Sequence, residues 1–188
     1  MESRSQIYGM INYGIAWYLL FIPLTRMGME AVLIRDVGGN RQAGENAAGL
    51  NLTLRMISIA LVTAIYIIIS MIYETDPQSR RMILIFAFAL IGRSLATWTG
   101  SVYIACEVNQ YSLRQQAVFR PLEVVLGLLV MVIWKDALWV VVVHGLVWCL
   151  EALYGLLVIQ RRIFFLRFNP DRIGLRNLFL QGALIGLA

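Results

Sequence analysis

Charged side chains stand inside three of the long apolar stretches of this 188-residue chain. They are Arg26 and Glu30 in the first stretch, Arg93 in another, and His144 with Glu151 in a third. A charge at bilayer depth costs roughly 2.5–3.5 kcal/mol even on lenient insertion scales, so such groups normally face a partner or a water-filled cavity. A guanidinium also binds phosphate through paired, charge-assisted hydrogen bonds. The pattern therefore indicates a polar transport pathway.

The first stretch carries a polar stripe. At 100° per residue, Asn12, Pro23, Arg26 and Glu30 project within about 40° of one another on a helix. Arg26 and Glu30 are four residues apart and can pair along the helix, and Pro23 is expected to bend it. Arg26 keeps donors to spare after one carboxylate, which favours a cavity-lining role. A self-contained ion pair buried against another helix is the alternative.

Three further stretches carry one polar stripe each. The stripes are Arg93, Thr97 and Gly100; Gln116, Arg120, Glu123 and Gly127; and His144, Trp148, Glu151 and Gly155. A bundle around a shared hydrated core requires such an arrangement. We therefore expect an intramembrane polar network, whose members are Glu30, Arg120, Glu123, His144 and Glu151. Arg55 lies nearer the inner end of its stretch and is expected to snorkel to the lipid headgroups.

The chain offers little for catalysis. His144 with Glu151 is a poor metal site by ligand count; the pair could carry a coupling proton, although a histidine hydrogen-bonded to a neighbouring helix is favoured. There is no nucleophile–base constellation, no metal-ligand cluster and no dinucleotide fingerprint. The polar, glycine-rich turn Gly38–Gly44 has neither the lysine–serine partner nor the preceding strand of a phosphate loop. We therefore predict no enzyme, no metal and no cofactor.

Composition predicts a membrane protein, with 60% hydrophobic and 14% charged residues. About 20 predominantly apolar residues span the hydrocarbon core, and continuous rather than alternating apolar runs indicate helices. The predicted fold class is all-α, a polytopic transmembrane helix bundle. Its five complete spans are placed at Tyr8–Ile34, Gly49–Tyr73, Met82–Cys106, Gln116–Trp134 and Ala137–Gln160.

The predicted domain organisation has three parts. Residues 1–160 form the five-span bundle, 161–176 a basic, amphipathic cytoplasmic linker, and 177–188 the start of a further transmembrane helix. That last stretch is too short for the ~30 Å hydrocarbon core, so the chain is expected to be cut there. The linker either lies at the interface with its arginines toward anionic headgroups, or is an ordinary positive loop.

The basic residues alternate by side of the membrane, which argues against a nucleic-acid partner despite the net charge of +5. The positive-inside rule places the arginine-rich side in the cytoplasm. Those arginines are Arg35, Arg41, Arg114, Arg161, Arg162, Arg167, Arg172 and Arg176, against Arg4, Arg80, Arg81 and Lys135 on the other side. The segment Met1–Ile7 then lies outside, which suggests that a helix precedes it.

Short motifs spread over nearly the whole chain resemble one family. In the first span they are Ile7-Tyr8-Gly9, Arg26-Met27-Gly28-Met29-Glu30 and Ile34-Arg35-Asp36. In later spans they are Gly49-Leu50-Asn51 through Arg55, and Arg120 with Glu123 and Gly127. Together they resemble the second, third and fifth helices of polysaccharide repeat-unit flippases. These are the O-antigen and teichuronic-type exporters of the multidrug/oligosaccharidyl-lipid/polysaccharide superfamily.

The resemblance implies a two-lobed inner-membrane transporter of which this chain holds most of one lobe, without the family's first helix and without everything from the middle of the seventh onward. The implied substrate is an oligosaccharide on a polyprenyl pyrophosphate, exported for surface polysaccharide biosynthesis. The candidate substrate-binding residues are Arg26, Arg93 and Asn12, with Arg26 and Arg93 meeting the diphosphate. Implied partners are membrane lipids and the polysaccharide polymerase and assembly proteins. The alternatives are a cation-coupled drug exporter of the same superfamily, which would want carboxylates in its cavity, and a non-functional fragment or membrane scaffold.

Overall fold

All regular secondary structure in the described part of the chain is helical. The computed structural model describes residues 4–26, 28–39, 41–134 and 136–187. Its helices are α1 (Arg4–Arg26), α2 (Met29–Gly39), α3 (Arg41–Tyr73), α4 (Pro77–Ala105), α5 (Asn109–Trp134), α6 (Ala137–Arg162) and α7 (Arg172–Leu187). The predicted all-α fold is confirmed.

Four helices are long and apolar enough to cross a bilayer, namely Gly44–Tyr73, Pro77–Ala105, Asn109–Trp134 and Ala137–Arg162. A fifth crossing results if the bent pair Gly9–Arg26 and Met29–Gly38 is one span. Exposed leucine, isoleucine and valine side chains cover the outward faces of these helices, as a lipid-facing surface requires. The molecule is a multi-pass membrane protein.

The first predicted span bends, but not at Pro23. Helix α1 continues through Pro23 to Arg26, and the chain direction changes by 45° between α1 and α2. Gly28 lies in this junction with φ 68°, a left-handed conformation that glycine adopts without the clash of a Cβ atom. This bend lies beyond Pro23, the residue at which the sequence predicted one. The junction is set by the glycine that follows the proline-containing turn.

Helices take up most of the predicted cytoplasmic loops. The glycine-rich segment 38–44 is largely helical, because α2 ends at Gly39 and α3 begins at Arg41. The predicted linker 161–176 contains the last turn of α6 and the first residues of α7, which leaves residues 163–171 as the connection. The further helix begins at Arg172 rather than near Asn177. Asp171 explains this earlier start, because its carboxylate accepts from the amides of Ile173 and Gly174.

Helix α4 is the centre of the bundle. It packs most extensively against α6 and also contacts α1, α2, α3 and α5. The contact with α6 is close because Gly92 lies against the backbone at Cys149 and Gly145 lies against Phe88. At its outer end, Asp76 caps α4 by accepting from the amide of Ser79 at 2.8 Å, a bond that holds the pKa of this carboxyl below its ordinary value.

The bundle is not closed around all its helices. Helix α5 packs against α6 and less extensively against α4, while α1 packs against α3 and α4. In the described part of the chain, α1 and α5 form no extended interface. Helix α7 docks on α2 and α3, where Leu178 joins a buried cluster with Met29, Val32 and Leu54. An open side between α1 and α5 therefore leaves the inner faces of α4 and α6 accessible.

Candidate functional site

The predicted polar stripes converge on one cavity. It has a volume of about 640 Å³ and lies between the α1–α2 pair, α4, α5 and α6. We refer to it as the polar cavity. Its charged and titratable lining residues are Arg26, Glu30, Arg93, Arg120, Glu123, His144 and Glu151. Its other lining residues are Ala96, Thr97, Gly100, Ser101, Ile104, Ser112, Gln115, Gln116 and Trp148.

The polar cavity occupies the half of the bundle that the predicted topology places toward the cytoplasm. Its α4 residues run from Arg93, near the middle of the helix, to Ile104 at the inner end. Its α5 residues run from Ser112 in the first turns to Glu123 near the middle. The site therefore reaches from mid-depth to the inner surface.

One arginine joins two glutamates at mid-depth. The guanidinium of Arg120 donates to Glu123 at 2.5 Å and to Glu151, which comes from the neighbouring helix α6. Glu151 is buried, and Gln115 donates to its backbone and side-chain oxygens at 3.4 Å. A buried carboxylate is tolerated only when it is paired and hydrogen-bonded, and both conditions hold here.

A chain of hydrogen bonds continues from Glu123 across the cavity wall. Nδ1 of His144 lies 2.6 Å from Glu123, and Nε2 of His144 lies 3.0 Å from the hydroxyl of Tyr18. The same hydroxyl accepts from Arg93 at 2.9 Å. Since the oxygen of Tyr18 already accepts a hydrogen bond, its own hydrogen can point to Nε2, which leaves Nδ1–H to donate to Glu123.

Trp148 holds the two arginines of this wall beside each other. The guanidinium carbon of Arg120 stands 3.7 Å from the ring centroid of Trp148, and that of Arg93 stands 4.9 Å from it. Both distances are within the range of cation–π attraction, which restrains the two guanidinium groups without neutralising them. In the described part of the chain, the guanidinium of Arg93 donates its only hydrogen bond to Tyr18, and no carboxylate forms an ion pair with it.

A second polar cluster supports the opposite wall. Arg55 is fully buried and donates to the carbonyls of Thr25 and Ser94 at 2.7 and 2.8 Å, and to the hydroxyl of Thr97 at 3.1 Å. It also approaches Glu30 at 3.8 Å. The expectation that Arg55 snorkels to the headgroups was therefore wrong. Backbone carbonyls of α1 and α4 hold it inside the bundle.

Arg26 and Glu30 form an ion pair at the edge of the polar cavity. The Nε of Arg26 lies 3.5 Å from Glu30, and the side chains are 40% and 28% exposed. This pair is looser and wetter than the one between Arg120 and Glu151. The terminal nitrogens of Arg26 form no hydrogen bond with any other described residue, so this guanidinium retains donors on the cavity side.

Four of the predicted stripe residues do not line the polar cavity, namely Asn12, Pro23, Gly127 and Gly155. Asn12 is exposed on α1 and is not among the lining residues, so the structure does not place this candidate at the site. The position of Asn12 follows from its distance along α1, which puts it above the cavity toward the outer end. Gly155 packs against Thr99, and Gly127 borders a different groove.

Three functional groups were missed from the sequence. Tyr18, Gln115 and Ser94 carry no charge and occur among residues of ordinary helical composition. Only the proximity of other helices gives them a role. The sequence signal for Gln115 is its position next to Gln116, the first residue of the predicted stripe of α5.

Among the uncharged lining residues, two buried polar atoms have no hydrogen-bond partner within the described protein. They are the side-chain oxygen of Gln115 and the indole nitrogen of Trp148. One is an acceptor and the other a donor, which is suited to a ligand that carries hydroxyl groups. No group of three or more His, Cys, Asp and Glu residues stands close enough to hold a metal ion in the described part of the chain.

Fold and site together define the class of this protein. It is a multi-pass α-helical membrane protein with a charged, laterally open cavity that reaches from mid-depth to one surface. Comparison with protein-family models, curated proteins and solved structures finds no match.

Proposed function

We propose that this chain forms a lobe of a bacterial inner-membrane flippase that translocates polyprenyl-pyrophosphate-linked oligosaccharide repeat units. The polar cavity binds the headgroup, and its open side toward the space between α1 and α5 lets the lipid chain remain in the bilayer. The resemblance of the sequence motifs to polysaccharide repeat-unit flippases supports the substrate class. The charged and polar residues of the cavity support binding of an anionic headgroup that carries hydroxyl groups.

The observation that carries the proposal is that the guanidinium of Arg93 forms no ion pair with a carboxylate of the described residues. Three arginines and three glutamates line the polar cavity. Each glutamate is engaged by an arginine: Glu30 by Arg26 and Arg55, and Glu123 and Glu151 by Arg120. Arg93 keeps most of its five guanidinium N–H donors, because the one described hydrogen bond of this group is to Tyr18. Such a group stabilises a bound diphosphate by charge-assisted hydrogen bonds.

The neutral part of the lining suits a sugar headgroup. Ser101, Ser112 and Gln116 add hydroxyl and amide groups toward the inner end of the cavity. Gln115 and Trp148 contribute the acceptor and the donor that have no described partner. An oligosaccharide offers many hydroxyl groups and needs a hydrated route past the hydrocarbon core, and such a lining supplies one.

A cation-coupled drug exporter is the second candidate, and the glutamates favour it. Glu123 and His144 are hydrogen-bonded at mid-depth and could exchange a proton. However, an organic cation would need an unpaired carboxylate, and each glutamate of the cavity already has an arginine partner. The pairing of all three carboxylates, with Arg93 left outside the ion pairs, therefore supports an anionic substrate.

The test compares two arginines of the same helix. Arg93→Gln removes the guanidinium of the cavity that forms no described ion pair, and Arg81→Gln removes an exposed charge at the outer end of α4. Charged hydrogen bonds contribute about 1.5–3 kcal/mol, so Arg93→Gln should weaken binding of the lipid-linked oligosaccharide by roughly 10- to 100-fold. Arg81→Gln should bind like the wild type. Affinities are measured on protein in nanodiscs, and export is measured as surface polysaccharide in a strain that lacks its own flippase.

Two results would contradict the proposal. One is a wild-type protein that does not bind the lipid-linked oligosaccharide. The other is an Arg93→Gln variant that binds it as the wild type does. Tight binding of tetraphenylphosphonium by the wild type, with loss of that binding in Glu123→Gln, would support the drug exporter instead.

A further inference from the structure

A second, apolar depression adjoins the polar cavity at its upper end. It has a volume of about 330 Å³ and lies between α1, α5 and α6. We refer to it as the apolar groove. Its lining residues are Ile11, Glu123, Val124, Gly127, Leu128, Met131, Val140, Val143 and His144. All but Glu123 and His144 are apolar or glycine.

Glu123 and His144 line both spaces, so the two adjoin at this hydrogen-bonded pair. The polar cavity extends from these residues toward the inner ends of α4 and α5. The apolar groove extends from them toward the outer half of the bundle, because Met131 lies near the outer end of α5 and Val140 near the outer start of α6. The two adjoining spaces together are therefore charged at their inner part and apolar at their outer part.

The groove has room beside its central glycine. A Cβ atom on Gly127 would meet no other atom within 4 Å, whereas one on Gly92 or Gly155 would collide with a neighbouring helix. Gly127 thus does not serve close helix packing, which is the usual reason for glycine in a membrane helix. The open space beside it is wide enough to admit part of a ligand.

We propose that the apolar groove binds the proximal isoprenoid chain of the lipid whose diphosphate occupies the polar cavity. This inference rests on the proposed function and adds a lipid-chain subsite to it. The adjacency of the two spaces at Glu123 and His144 is the reason for this occupant, since an amphipathic molecule with an anionic head and a branched apolar chain matches both. Met131 is an unbranched, adaptable side chain that suits irregular methyl-bearing chains.

The polarity of the two spaces also assigns an orientation. The head would point toward the inner surface and the chain toward the outer half of the membrane, as in a lipid of the cytoplasmic leaflet. The conformation described is therefore the one that receives substrate from the inner leaflet. Bilayer lipid is as apolar as the groove, so the chain gains packing contacts rather than a hydrophobic driving force.

The test fills the groove and compares probes with and without a long chain. Gly127→Leu occupies the open space, and leucine in place of glycine favours the helix. Gly9→Leu is the matched control, because Gly9 is an exposed glycine of α1 with open space around it and lies outside the groove. Undecaprenyl diphosphate and inorganic pyrophosphate are the probes. Dissociation constants are measured on the full chain in nanodiscs.

For the wild type we expect tighter binding of undecaprenyl diphosphate than of pyrophosphate. Gly127→Leu should weaken binding of the long-chain probe by about fivefold, the order expected when some ten carbon contacts of one isoprene unit are lost. Its affinity for pyrophosphate should stay unchanged, and Gly9→Leu should behave as the wild type with both probes.

The outcomes separate this inference from the proposed function. A wild type that binds neither diphosphate refutes the anion site, and the groove with it. A wild type that binds both probes equally well leaves the anion site standing and overturns the groove. The groove is also overturned if Gly127→Leu binds undecaprenyl diphosphate like the wild type, or if it loses both probes to the same degree.

Discussion

At the scale of single residues, the polar cavity contains arginines of two kinds. Arg120 is held by two carboxylates, whereas Arg93 has aromatic and hydroxyl contacts and no described carboxylate partner. Arg26 is intermediate, since its contact with Glu30 is long and partly exposed. This gradation ranks the three arginines by the charge that they can offer to a ligand.

The role of Arg26 can be separated from that of a structural ion pair. We expect Arg26→Ala to abolish export while the protein still inserts, because its terminal nitrogens would meet the diphosphate. Arg26→Lys should rescue only part of the activity, since a point charge lacks the planar fork of the guanidinium. The measurement is surface polysaccharide in the strain without its own flippase, with immunoblots of the membrane fraction as the insertion control.

A double variant distinguishes the two interpretations. Arg26→Leu combined with Glu30→Leu removes both charges of the pair and leaves Arg55 bound to Thr25, Ser94 and Thr97. If the pair is only structural, this variant exports as well as the wild type. Full export from it would rule out the substrate-binding role of Arg26.

Much of the site was predictable at this scale because helical periodicity is encoded locally. Arg93, Arg120, Glu123, His144 and Glu151 each belong to a stripe that can be derived from a single helix. The role of Arg55 could not be derived in that way. Its partners include backbone carbonyls of α1 and α4. Every residue has such a carbonyl, so the sequence alone does not show which carbonyls will face Arg55 once the helices pack.

At the scale of the elements, glycines determine how closely α4 and α6 approach. A methyl group on Gly92 would stand 2.5 Å from the backbone nitrogen of Cys149. A backbone neighbour cannot rotate away, so the two helices would have to separate. By contrast, a methyl group on Gly100 of the same helix would meet no atom within 4 Å.

We therefore expect Gly92→Ala to lower the free energy of unfolding by about 1–3 kcal/mol, the usual cost of overpacking. Gly100→Ala should be neutral or stabilising by up to about 1 kcal/mol, because alanine is the better helix former. Thermal unfolding in detergent, followed by circular dichroism, measures both variants. Equal unfolding temperatures for the two variants would show that the contact between α4 and α6 does not depend on Gly92.

Helix ends were predicted less well than helix centres. Four of the five predicted spans coincide with helices that are long and apolar enough to cross a bilayer, because hydropathy averages over about 20 residues. The extension of α3 to Arg41 and of α5 to Asn109 was not predicted, since those turns are polar and lie beyond the apolar windows. The bend between α1 and α2 depends on the positive φ angle of Gly28. The sequence predicts the bend at Pro23 instead, because proline is the more obvious helix breaker.

At the scale of the whole molecule, the segments predicted to be cytoplasmic meet at one end of the bundle. Val37 at the end of α2, Tyr111 at the start of α5 and Phe164 after α6 line a common cleft. Near the opposite end, Tyr13 of α1 donates to Glu74 of the turn between α3 and α4. The connections between α2 and α3, between α4 and α5, and between α6 and α7 must therefore share one side of the membrane.

The positive-inside rule assigns that shared side to the cytoplasm, because most arginines of the connections lie there. We expect Phe168→Cys, in the exposed connection 163–171, to react with a membrane-impermeant maleimide only after the inner membrane is permeabilised. Gln78→Cys, exposed at the start of α4, should react in spheroplasts. Both are made in a Cys106→Ser, Cys149→Ser background. Labelling of Phe168→Cys in sealed spheroplasts would invert the topology. It would turn the polar cavity toward the outside, where a substrate made in the cytoplasm could not enter it.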